Sequence, residues 1–172
     1  MLTKVDIEKG VLGGRIIITP FNPSALNPNS YNLSLDRTLA TYKKDVLDTR
    51  IRYSDEDLNF FEIGHDGHVL RPGILYLGST VEVAGSDYYI PSLEGRSSIA
   101  RVGLQVHLSA GFGDLGFKGR WVLELMAVQP VRVYAGTQIC QVAFHKTSSI
   151  PDELYSGKYS EQCSGIIPSR GV

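Results

Sequence analysis

The stretch GRSSIARVGLQVHLSAGFGDLGFKGRWVLE, residues 95–124, decides how the chain is read. Its end sets the fold class. In Trp121-Val122-Leu123-Glu124-Leu125 the pattern has period two, so Trp121, Leu123 and Leu125 share one face of a strand and Val122 shares the other with Glu124. Its beginning reads as a short helix from Ser97 to about Val102, capped by Ser97 and stopped by Gly103, with Ser97 and Arg101 on one face. Leu104 to Leu108 reads as a strand. Gly111, Gly113, Gly116 and Gly119 then make a loop in which backbone groups can approach a ligand closely.

Working outward, the same short-strand grammar covers most of the chain. Residues 3–12 read as a helix capped by Thr3 and stopped by Gly13-Gly14. Arg15 to Thr19 is a β-branched strand, and FNPSALNPNS is a turn region. SYNLSLDRTLATYK alternates as one half-buried strand, followed by a surface excursion over residues 44–60. His68 to Leu70, Gly73 to Val83 and Tyr88 to Glu94 supply three more strands, the last with Pro91 at a sheet edge. Arg120 to Ala127 is a strand, and Val131 to Tyr134 with Gln138 to Phe144 closes like a hairpin around Gly136. From Lys146 onward little periodicity remains, which predicts a mobile tail over residues 146–172. Many short strands with turn signals predict a mainly β domain, a closed barrel or jelly-roll-like fold, spanning residues 1–172.

Composition excludes several classes. With 172 residues, 42% hydrophobic and 20% charged, the chain has the profile of an ordinary soluble domain. The 17 basic and 18 acidic residues give a net charge of -1, so no general attraction to nucleic acid follows and anion binding must be local. Two cysteines, Cys140 and Cys163, are too few for a disulfide framework or a zinc site. The opening MLTKVDIEKGVLGG lacks the apolar run of a signal peptide and no window reaches membrane-span length, which together predict a cytoplasmic protein.

The central stretch holds the polar groups that need explaining. Glu124 sits among apolar neighbours, where desolvation would raise its pKa and suit it to proton transfer; an exposed glutamate on a one-sided sheet would alternate in the same way. Arg96, Ser97, Ser98 and Arg101 suit an anion, although they are equally a capped helix with solvated arginines. Asp114 in the glycine loop could accept from a sugar hydroxyl, or the loop could simply turn the chain. Phe112 and Phe117 read as core before base-stacking, and His107 reads as a hydrogen-bonded structural histidine.

Taken together, this stretch resembles the dCTP deaminase branch of the dUTPase superfamily. The resemblance rests on Gly95-Arg96-Ser97-Ser98, Ala100-Arg101 with Gly103-Leu104, Ser109-Ala110-Gly111-Phe112, Asp114, Gly116-Phe117-Lys118-Gly119 and Val122-Leu123-Glu124, and extends to VDIEKGVLGGRIIITPF, NPNSYNLSLD, HVLRPGILYLGSTVE and GKYSEQCSGIIPSR. It implies a distorted β-barrel of dUTPase type assembled as a homotrimer, with active sites at subunit interfaces and the tail as a lid. It also implies zinc-independent hydrolytic deamination of dCTP, with Mg²⁺ carried by the triphosphate; the zinc-deaminase set H-x-E…P-C-x-x-C is absent from the sequence. By position, Glu124 would move the protons, while Ser97, Arg101 and the Ala110 carbonyl would hold the attacking water. Arg96 and Ser98 would bind phosphates with Lys158, Tyr159 and Gln162 from the tail. Asp114 would hold the 3′-hydroxyl, Val122 the pyrimidine edge, and Phe117 belongs to the substrate-binding set.

Three departures qualify the match. Gly113 and Leu115 flank Asp114 where the family usually has a β-branched residue and a proline, which predicts a looser loop. The tail before Lys158 is short, leaving Tyr155 as the candidate for a further phosphate contact. Ser160-Glu161 and Cys163-Ser164 vary the usual tail, which bears on how many phosphates are held. The principal expectation is deamination to dUTP and ammonia in pyrimidine deoxynucleotide supply, with dTTP a candidate inhibitor. The alternative, suggested by Ala110-Gly111-Phe112, is a bifunctional enzyme that also cleaves the triphosphate to dUMP and pyrophosphate. A nucleotide-sensing module without catalysis would have no use for Glu124, Ser97 and Arg101 together.

Overall fold

A computed structural model describes residues 1–159 and 165–172. Helix α1 (Lys4–Leu12) begins where Thr3 donates through both its N–H and its hydroxyl to the Asp6 carboxylate, at 3.1 and 2.8 Å. Those two hydrogen bonds hold the Asp6 carboxyl below its ordinary value. Gly10 faces the core, where a Cβ would stand 2.7 Å from Ile16 Cδ1. The helix therefore lies against the chain that leads into the first strand.

Eleven strands are present among the described residues: β1 (Ile17–Thr19), β2 (Tyr31–Ser34), β3 (Thr38–Tyr42), β4 (Leu58–Glu62), β5 (His68–Leu70), β6 (Tyr76–Gly85), β7 (Ile90–Gly95), β8 (Leu104–Gln105), β9 (Lys118–Ala127), β10 (Val131–Val133) and β11 (Gln138–His145). Helix α2 (Ser97–Ala100) falls between β7 and β8. The main sheet runs β4-β3-β6-β9-β8, with β1 also on β6; β2-β11-β7 forms a second sheet and β10-β5 a small third. All pairings are antiparallel. Leu33, Leu123, Leu125, Val142 and Phe144, all fully buried, form the core to which both larger sheets contribute. The mainly β class is as expected, but these strands form three sheets and no closed barrel.

Two expected elements divide differently. SYNLSLDRTLATYK is not one strand: β2 belongs to the second sheet and β3 to the main one. The chain changes sheets at Leu35 and Asp36, whose N–H groups donate to Thr137 O and Ser79 O, both at 2.9 Å. The Asp36 carboxylate also takes Arg120 Nη1 at 2.8 Å. Likewise β10 and β11 form no hairpin. Gly136, at φ 76°, does turn the chain, but β10 continues onto β5 while β11 goes between β2 and β7.

The excursion and the tail meet. Beyond a short 3₁₀ turn at Asp55–Asp57 the excursion runs into β4. Tyr53 N donates to Ser169 O and Val172 N to Thr49 O, each at 2.9 Å. Ser169 N in turn donates to the Tyr42 hydroxyl at 2.9 Å. The described part of the tail has no helix or strand, yet the backbone fastens it along the excursion.

Candidate active site

Strand β9 carries the site. Its burial alternates without a break, with Trp121, Leu123 and Leu125 inward and Val122 and Glu124 on the opposite, partly open face. That second face floors a cavity of about 530 Å³. Ala110, Phe112 and Asp114 wall it from the glycine loop, Tyr42 and Tyr53 from β3 and the excursion, and Tyr155, Tyr159 and Ser169 from the tail.

Glu124 is the cavity carboxyl that burial shifts upward. Burial pushes its carboxyl above the ordinary value, against smaller opposing effects of the Leu108 N–H, which donates to Oε2 at 3.3 Å, and of His107. A carboxyl whose protonated form is favoured by burial is suited to exchange a proton with a bound molecule. His107 packs beneath Gly111, where a Cβ would stand 2.8 Å from its Cε1. Its buried Nδ1 has no hydrogen-bond partner among the described residues, so it is not the hydrogen-bonded histidine expected from sequence.

The remaining expected residues divide into two groups. Ala110, Asp114, Phe117, Val122, Glu124 and Tyr159 line the cavity. Phe117 is 8% exposed and edge-to-face with both Trp121 and Tyr155, so it is wall and not a free stacking surface. Ser97, Ser98 and Arg101 are exposed on α2 and its end, and none of them lines the cavity. Ser97 is also the first helical residue and not the cap, a place taken by Arg96. Arg96 instead reaches back to donate to Gln138 O at 2.5 Å. Lys158 donates to Gly171 O at 2.5 Å within the tail. Gln162 lies outside the described residues. Among those described, no three His, Cys, Asp or Glu side chains converge as a metal site.

The glycine loop is tighter than its sequence suggests. Leu93 N donates to Gly111 O at 2.6 Å and Gly113 N to Pro91 O at 2.9 Å, stitching the loop along β7. Leu115 is buried, and Tyr155 N donates to its carbonyl at 2.9 Å. The looseness expected at Gly113 and Leu115 is therefore absent. Sequence reasoning also missed Tyr42, at the end of the segment read as a half-buried strand, and Asp48 and Tyr53, which come from the segment read as a surface excursion. The available signal was Tyr53 within a charged stretch, where a large apolar ring needs a partner.

A comparison of sequences places the chain: a family model described as dCTP deaminase-like matches residues 1–147. The chain belongs to the dCTP deaminase-like family. Relatives in that family named "dCTP deaminase, dUMP-forming" include one from Clostridium acetobutylicum, 47% identical over 161 residues, covering 94% of this chain and 91% of that protein. One from Leptospira biflexa is 46% identical over 169 residues, covering 98% and 94%. One from Cytophaga hutchinsonii is 47% identical over 161 residues, covering 94% and 91%. Among solved structures, the 2′-deoxycytidine 5′-triphosphate deaminase of Agrobacterium tumefaciens superposes with a TM-score of 0.68 at 17% identity over 85% of this chain. This chain spans 48% of that one, and the likeness is one of fold. No helix is long and apolar enough to cross a membrane among the described residues.

Proposed function

We propose that this protein deaminates dCTP by hydrolysis and goes on to cleave the triphosphate, yielding dUMP, ammonia and pyrophosphate. The observation that carries the deamination is the partly buried Glu124 carboxyl, with its raised pKa, on the floor of a cavity walled by Ala110, Asp114 and Val122. The second cleavage is favoured by relatives spanning nearly the whole chain and named as dUMP-forming, which replaces dUTP as the expected end product.

In this reading water adds to C4 of cytosine. Glu124 takes a proton from that water and delivers it to the ring nitrogen beside C4, then carries the proton of the new C4 hydroxyl to the amino group, which leaves as ammonia as the C4 carbonyl forms. Ser97, Arg101 and the Ala110 carbonyl hold the water and the charge that develops at C4. A second water then breaks the bond between the α- and β-phosphates, releasing pyrophosphate. Val122 presents its backbone to the pyrimidine edge, Asp114 accepts from the 3′-hydroxyl, and Phe117 backs the cavity wall. Arg96, Ser98, Lys158, Tyr159 and Gln162 meet the triphosphate. Mg²⁺ enters with the nucleotide, because phosphate oxygens are its natural hard ligands.

The placement of α2 favours a composite site. Ser97, Ser98 and Arg101 are exposed and do not line the Glu124 cavity of their own chain. A homotrimer in which each subunit lends α2 to a neighbour's cavity would bring the two halves together. Incubating the protein with dCTP and Mg²⁺ and separating the nucleotides by ion exchange tests the reading. The expected products are dUMP and pyrophosphate. Accumulation of dUTP would restrict the reaction to deamination, and unchanged dCTP would end the enzyme reading. Adding dTTP to the same assay tests it as an inhibitor.

A further inference from the structure

We propose that Trp121 is a positioning residue that sets the height of the Asp114 loop over the cavity, and thereby takes part in selecting the sugar. The inference rests on the reading of the site as a deoxynucleotide site. A Cβ on Gly113 would stand 2.5 Å from Trp121 Cη2, 2.9 Å from Pro91 Cγ and 3.0 Å from Pro91 O. The indole thus occupies the volume that any side chain at 113 would need, and the loop settles directly onto it.

Trp121 is not free to yield. It is 6% exposed, its backbone N donates to Thr80 Oγ1 at 2.9 Å and its indole N–H to Ala84 O at 3.3 Å. Its ring meets Phe117 edge-to-face at 4.9 Å. The loop is confined on the other side as well. Gly116 adopts φ 95°, and a Cβ there would stand 2.7 Å from Leu154 Cβ and 3.0 Å from Tyr155 N. Asp114 and Leu115 therefore form a two-residue span clamped between glycines, one against a buried indole and one against the tail. A carboxylate held this way meets a sugar at one height, and a displacement of about 1 Å suffices to change selection by orders of magnitude.

The test is a double-mutant cycle of Gly113→Ala and Trp121→Leu, since leucine removes the nearest atom the new methyl would strike, Trp121 Cη2 at 2.5 Å, and leaves only the longer contacts with Pro91. Gly113→Ala is expected to raise KM for dCTP about tenfold and to lower the preference for dCTP over CTP by a similar factor, with kcat within about threefold. Adding Trp121→Leu is expected to bring KM and preference back to within about threefold of the parent. An unchanged KM and preference in Gly113→Ala, or no recovery in the double variant, overturns the proposal. Trp121 is also the sole tryptophan, so its emission reports on the loop. Titrating Glu124→Gln with dCTP should shift that emission; no shift, with the parent active on dCTP, overturns the proposal while sparing the functional reading. If the parent leaves dCTP unchanged, the functional reading fails. The cycle is then read in melting temperature, where recovery of the Gly113→Ala loss by Trp121→Leu supports the packing claim and its absence overturns it.

Discussion

Replacing Glu124 by glutamine separates a working carboxyl from a structural one, because the two roles predict opposite signs for stability. Glutamine keeps the shape and still offers an oxygen to the Leu108 N–H, which donates to Glu124 at 3.3 Å. It removes the proton exchange. A positioned general acid or base typically contributes about 10²–10⁴-fold, and a carboxyl serving two successive transfers belongs at the upper end, about 10⁴-fold or about 5.5 kcal/mol of barrier. Deamination followed by ion exchange should therefore fall to near background, while equilibrium dialysis still shows dCTP bound. For stability, burial raises the native carboxyl above its ordinary value of 4.5. Below that pH the group is protonated in both folded and unfolded chains, and wild type and variant should denature alike. As pH rises through the native pKa, the folded state must accommodate a desolvated charge that the unfolded chain leaves in water, so wild type loses stability relative to the glutamine variant. Urea midpoints at pH 8 should thus be higher for Glu124→Gln, and the difference should vanish toward pH 4. Retention of more than about a tenth of the activity would remove Glu124 from the chemistry. A lower midpoint for the variant at pH 8 would show that the carboxylate is held by favourable partners, contrary to the site described above.

Two further perturbations address the edges of the site. Arg101→Ala and Glu124→Gln should each be inactive alone, but co-expressed subunits should regain activity at about a quarter of sites if α2 serves a neighbour's cavity, and none if each site is made within one chain. Arg101 is exposed, so its variant should denature within about 0.5 kcal/mol of the parent in the same urea assay. Removing residues 157–172 should cost turnover more than folding, because the described tail contributes cavity wall and backbone fastenings but no strand of the sheets. A truncated chain that loses its cooperative unfolding transition would contradict this.

What could be read from sequence, and what could not, divides along the range of the forces involved. The alternation in β9 was legible because period two is a local consequence of one face meeting the core, and it placed Trp121, Leu123 and Leu125 inside without knowledge of any partner. The corner at Leu35 and Asp36 was not legible, since Tyr31, Leu33, Leu35 and Leu39 keep one period-two frame across it, interrupted only at Arg37. The change of sheet is imposed by Thr137 and Ser79, distant in the chain, which receive the two backbone N–H groups. The same limit hid Tyr42 and Tyr53, whose place in the cavity wall depends on residues over a hundred positions away that fasten beside them. Gly113 shows the limit most directly. A missing side chain reads as slack when only the loop is considered, because sequence displays the gap and not its occupant. The occupant is an indole from eight positions later, on a strand whose inward face was already known, and it makes Gly113 a point of contact. Glycine in a ligand-facing loop should therefore be judged against the largest inward side chain of the strand that follows. Here that comparison turns an expected weakness into a site of constraint, and a methyl group at 113 is the smallest change that can tell the two apart.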